Sequence, residues 1–124
     1  MLDPLYGYLA LAAALARDPM RFSGAWNFGP GEKGMRSVED LARALIARWG
    51  SGDIAYGSAM AQPHEAAALL LSSEKARREL GWQALWPFGR AAAETASWYR
   101  AVRDGTSPLE VSRQQIRSYI EELP

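Results

Sequence analysis

His64, the single histidine of this sequence, stands beside Glu65 and directly after Pro63. A neutral imidazole next to a carboxylate can exchange a proton with a substrate or hydrogen-bond the hydroxyls of a sugar, and as chain neighbours on a loop the two can equally be a solvated pair. A second candidate is Gly29-Pro30-Gly31-Glu32-Lys33-Gly34, whose glycines have the G-x-G-x-x-G spacing of a dinucleotide turn, with Asp53 downstream as a potential ribose contact. The details oppose that reading. In a dinucleotide site the helix begins inside the motif, so that its first N–H groups face the pyrophosphate. Here the helix signal starts only at Ser37, and Asp53 precedes rather than follows its strand candidate. Other catalytic patterns are missing. No tyrosine has a lysine four residues later, which a phenol activated by an ammonium one turn away requires, and the lysines are Lys33 and Lys75 alone. There is no Gly-x-Ser-x-Gly elbow, no P-loop and no cysteine, which removes thiolate metal sites and cysteine nucleophiles. No residue is assigned as catalytic, cofactor-binding or metal-binding.

The 124 residues suit one domain, 1–124, large enough to fold without disulfides or metals. Fourteen basic against fourteen acidic side chains leave no excess charge to recruit nucleic acid. The stretch from Leu5 to Ala16 is apolar, but Asp3 stands where a signal peptide has basic residues and the run is too short to span a bilayer. A cytoplasmic protein with no membrane partner is expected.

Several elements can be placed. A first helix starts at Asp3-Pro4 and stops at Asp18-Pro19. No charged side chain occurs between Pro4 and Ala16, so most of its circumference calls for cover. Gly24–Phe28 alternates like a strand, and Ile54–Tyr56 reads as a second, parallel one. Ser37 and Asp40 cap a helix that runs to Trp49 and Gly50, with Val38, Leu41, Leu45 and Trp49 as its buried stripe. Residues 66–71 suit helix or strand. Helices follow at Glu74–Leu80, at Phe88–Arg103 and from Ser112 onward, the last turning Ile116, Tyr119, Ile120 and Leu123 inward. Trp26, Trp49 and Trp98 occupy core-phase positions, whereas Trp82 and Trp86 flank a loop. The expected fold is α+β: two or three short strands, at least one pair parallel, flanked by about five helices.

Four segments carry a resemblance: Asp3-Pro4-Leu5-Tyr6-Gly7-Tyr8-Leu9, Gly24-Ala25-Trp26-Asn27-Phe28-Gly29-Pro30, Pro63-His64-Glu65-Ala66, and Lys75-Ala76 with Leu80-Gly81-Trp82. In this order and spacing they resemble the C-terminal, substrate-side portion of the CDP-glucose 4,6-dehydratases. These are NAD-dependent lyases of nucleotide-sugar metabolism, within the extended short-chain dehydrogenase/reductases and their epimerase/dehydratase family. The resemblance implies a sugar-nucleotide binding domain without its Rossmann domain, so that NAD belongs to the intact family enzyme and no cofactor to this chain. It implies that His64 and Glu65 contact substrate, and that the chain alone is not catalytically competent. Where the family continues with His-Tyr-Leu-Lys-Leu-Asp, this sequence has Ala67 to Leu71 and Ser72, exchanging polar groups for side chains that mostly cannot hydrogen-bond. The alternative expectation is a non-catalytic interaction module that pairs through its apolar first helix with itself or with a separate cofactor-binding subunit.

Overall fold

The computed structural model describes residues 1–31, 34, 36–56 and 71–124. The described residues form six helices and no strand: α1 (Leu2–Arg17), α2 (Pro19–Phe22), α3 (Val38–Trp49), α4 (Glu74–Leu80), α5 (Phe88–Arg103) and α6 (Pro108–Glu121). α1 packs on α2 and α4, α5 on α3 and α6. None of these helices is long and apolar enough to cross a membrane.

Local signals explain the helix boundaries. Asp18 ends α1, and its side chain accepts the N–H of Arg21 at 3.1 Å, so the same residue caps α2, with Pro19 at the first helical position. Ser37 and Asp40 form the expected capping box, and Gly50 closes α3 in the left-handed conformation. Gly81 does the same for α4. α6 begins at Pro108, four residues before the Ser112 start that the sequence suggested. Pro108 favours the first turn, and both supposed capping residues are used elsewhere: Ser112 accepts the indole N–H of Trp98 at 2.9 Å, and Gln115 donates to the Glu94 carbonyl at 2.7 Å.

The core is built from aromatic side chains. Phe28, Ala76 and Trp82 are buried together, with Tyr6, Leu11, Trp26, Leu80 and Ala84 packed around them. The Phe28 ring meets Trp82 and Tyr8 edge-on, at centroid distances of 5.0 and 5.5 Å. It lies against the backbone of α1 at Gly7, where a Cβ would fall 2.7 Å from Phe28 Cγ. Trp86 and Tyr119 form a second edge-on pair at 5.2 Å that joins the 82–87 connection to α6.

The expected α+β layer with a parallel strand pair is therefore corrected to an all-helical arrangement among the described residues. Gly24–Phe28 has no neighbouring strand among the described residues, and the bonds found at Ala25 and at the adjoining Gly29 come from side chains. The Ala25 carbonyl accepts Lys75 Nζ at 3.1 Å, and Ser73 Oγ accepts the Gly29 N–H at 2.8 Å and donates to the Gly29 carbonyl at 3.1 Å. Ile54–Tyr56 is tied to α3 by Tyr56. A period-two pattern establishes that a segment is half-buried; it does not supply the second strand that a ladder needs.

Several burial expectations are corrected as well. Trp82 and Trp86 are the most buried tryptophans, while Trp26, Trp49 and Trp98 are half-buried. In α3, Val38 and Leu41 are exposed, and in α6 so are Ile116 and Ile120, although Tyr119 is buried as expected.

Candidate substrate-side groove

Asp3 organises the neighbourhood of the largest aromatic cluster. It lies in the first turn of α1, where a carboxylate is favoured by the helix dipole, but it caps no amide of its own helix. Its Oδ1 instead accepts the N–H of Leu85 at 2.6 Å, the hydroxyl of Tyr119 at 2.8 Å and, more weakly, the N–H of Trp86 at 3.4 Å. Its carbonyl accepts Trp82 Nε1 at 3.2 Å. One residue thus fixes the start of α1, the 82–86 connection and α6. Burial, together with the adjoining Asp3 carboxylate, pushes the Tyr119 phenol far above its ordinary value, so it remains a donor.

These bonds position an apolar groove of about 330 Å3 whose walls include Phe28, Pro30, Leu71, Trp82, Trp86 and Phe88. The Pro30 side is held by the double hydrogen bond of Ser73 to Gly29. Trp86 Nε1 is buried without a hydrogen-bond partner among the described residues. Arg90 covers the outer face of the Trp86 ring at 5.2 Å and is held by Glu94 at 2.8 Å and Glu122 at 3.1 Å. Such walls suit the face of a flat ligand. Among the described lining residues Asp3 is the one carboxylate, and its Oδ1 accepts the Leu85, Trp86 and Tyr119 donors.

His64 and Glu65 lie outside the described residues, as does the 66–70 run. Leu71, which follows directly, lines the groove and packs near Gly29. The described part of the glycine motif is engaged in local hydrogen bonds. Gly34 N–H closes a tight turn onto the Gly31 carbonyl at 2.7 Å, the Gly29 N–H is bound to Ser73, and the first turn of α3 is occupied by its own capping box.

A second polar cluster is fully exposed. Glu39 accepts Arg43 Nε at 2.9 Å and the Tyr56 hydroxyl at 2.8 Å, which lowers the Glu39 carboxyl below its ordinary value, the Arg43 bond contributing most. A solvated carboxylate held in its charged form is a poor general acid, and its role is to tie residues 53–56 to α3. Among the described residues no group of acidic or histidine side chains is arranged to hold a metal ion.

Sequence reasoning missed Asp3 and Ser73 as organising residues. Both stand where side chains commonly cap helices; their long-range partners, Tyr119 and Gly29, carry no signal in local sequence.

No family model matches the chain. CDP-glucose 4,6-dehydratase of Salmonella typhimurium is 31% identical over 120 residues. The match covers 97% of this chain and 33% of that protein, so the chain spans one third of the length of the curated relative it matches. The resemblance read from the ordered motifs is thereby borne out: along nearly its whole length the chain is similar to CDP-glucose 4,6-dehydratase, over the extent expected for the C-terminal portion of that enzyme.

Proposed function

We propose that this chain is the substrate-side domain of a nucleotide-sugar dehydratase-like protein of the extended short-chain dehydrogenase type, acting in nucleotide-sugar metabolism in the cytoplasm. The observation that carries this reading is the 31% identity to CDP-glucose 4,6-dehydratase sustained over 97% of the chain. His64 and Glu65 are the proposed substrate contacts. Leu71, which follows them in the sequence, stands in the wall of the aromatic groove, which favours that groove as the place of the ligand.

In this reading the chain binds and orients the nucleotide sugar, and the redox chemistry comes from a cofactor-binding part. That part docks on the outer face of α1, where Leu5, Tyr8 and Leu9 are exposed and uncharged. In this reading NAD belongs to that part, and no step of the reaction is assigned to the described residues.

Calorimetric titration with CDP-glucose and with CDP tests the proposal. We expect saturable heat with CDP-glucose that disappears in His64→Ala and Glu65→Ala; absence of heat with both ligands overturns substrate binding. Incubation with NAD and CDP-glucose should give no 4-keto-6-deoxy product, and formation of that product overturns the division of labour.

A further inference from the structure

The outer face of α6 is apolar where the sequence led us to expect burial. Leu109, Ile116 and Ile120 are 59%, 43% and 58% exposed. At 100° per residue they fall within about 40° of one another and form one straight stripe along the helix. Arg113 borders the stripe. One edge beyond it carries Glu110 and Arg117, two turns apart and opposite in sign. Neither of these two side chains makes an ion pair among the described residues, unlike Glu122 at the end of α6, which pairs with Arg90 of α5.

The order of these residues is self-complementary. In an antiparallel two-fold pairing of α6 with α6 of another molecule, setting Glu110 level with the partner's Arg117 also brings Leu109 level with the gap between the partner's Ile116 and Ile120. Ile116 then falls between the partner's Leu109 and Arg113. The symmetry repeats both the charge pair and the apolar fit. One register therefore satisfies knobs-into-holes packing and charge complementarity together. Arg113 opposes it, because the two Arg113 side chains approach the two-fold axis, each level with the partner's Gln114. Their long stems can turn the guanidinium groups to solvent, so the opposition weakens the pairing without preventing it.

We propose that the occupant of this face is a second copy of the chain, joined through an antiparallel α6 pair with reciprocal Glu110–Arg117 contacts. A single helix pair buries less than the roughly 1,200 Å2 of stable complexes, so the association is weak, with a Kd on the order of 10 µM or above. The proposal is independent of substrate binding and uses a face other than α1.

Sedimentation equilibrium of the full chain from about 1 to about 500 µM provides the test. The expected behaviour is a monomer–dimer equilibrium. Ile116→Glu should raise its Kd at least about tenfold, and Glu110→Arg and Arg117→Glu should each do the same by placing like charges opposite one another. An equimolar mixture of these last two variants should dimerise again, because each mutant helix then meets its opposite. Arg113→Gln should tighten the dimer. A strictly monomeric chain overturns the proposal. So does association that Ile116→Glu leaves unchanged, or a mixture of the two charge variants that stays monomeric. Far-UV circular dichroism checks that the variants are folded, and the mixing experiment decides the matter even where Ile116→Glu is not.

Discussion

Replacing Asp3 should weaken the whole fold, although the residue lies in the first turn of the first helix. Asp3→Ala removes the acceptor of three donors, two of them short: the Leu85 N–H at 2.6 Å and the Tyr119 hydroxyl at 2.8 Å. Hydrogen bonds to a charged group contribute about 1.5–3 kcal/mol, and a buried donor left without a partner costs about 1–3 kcal/mol. Tyr119 is only 4% exposed and cannot readily turn to water, whereas the 85–86 amides are partly buried and recover some hydration. The expected loss is therefore about 3–5 kcal/mol, a large share of the 5–15 kcal/mol typical of a domain. With a urea slope of about 1–2 kcal/mol/M, the unfolding midpoint should drop by about 1.5–5 M. Tryptophan fluorescence and far-UV circular dichroism should report it together. Asp3→Asn keeps an oxygen at the same place without its charge and should lose about half as much. Because Asp3 and Tyr119 share one bond, a double-mutant cycle of Asp3→Ala with Tyr119→Phe should give a coupling of about 1–2 kcal/mol. A loss below about 0.5 kcal/mol in Asp3→Ala, or strict additivity in the cycle, refutes the assignment of Asp3 as the organising residue.

Other expectations concern the same core. The raised Tyr119 pKa means that its contribution is present below the ordinary tyrosine value and is lost as the pH rises beyond it. Stability followed from pH 8 to 12 should fall above about pH 10, and less steeply in Tyr119→Phe. Gly7→Ala should destabilise by about 2–3 kcal/mol in urea melts, because the new Cβ overlaps the Phe28 ring. Ser73→Ala leaves the Gly29 N–H and carbonyl without their partner and should cost about 1–3 kcal/mol, with faster hydrogen exchange at Gly29. Trp82→Ala should cost about 3–5 kcal/mol, since it empties the centre of the aromatic cluster.

Most helices and their ends were legible because their causes are local, the short α2 and the start of α6 being the exceptions. Ser37 with Asp40 and Gly50 act on neighbours within a turn, and the structure uses them as the sequence suggested. The sheet was misread because alternation in Gly24–Phe28 reflects burial of Trp26 and Phe28 on helices, with Lys75 and Ser73 taking the place of a paired strand. The 82–86 connection was underestimated for a related reason. A loop between helices is ordinarily surface, and here it is drawn inward by an acceptor some eighty residues earlier in the chain. Of the candidate site, the motifs that carry the resemblance were readable. The aromatic groove was not, since its walls come from four separate segments.

The Asp3–Tyr119 hydrogen bond spans 116 positions of the chain. During synthesis, the first turn of α1 leaves the ribosome long before its anchor exists, and at about 5–20 residues per second the wait is several seconds or more. Through most of that interval a largely apolar helix lacks the 82–86 connection, and through all of it the anchor on α6. Final locking is thus a late event in the life of each new molecule, and a nascent chain stalled short of Tyr119 should be an avid client of chaperones that grip bare apolar helices.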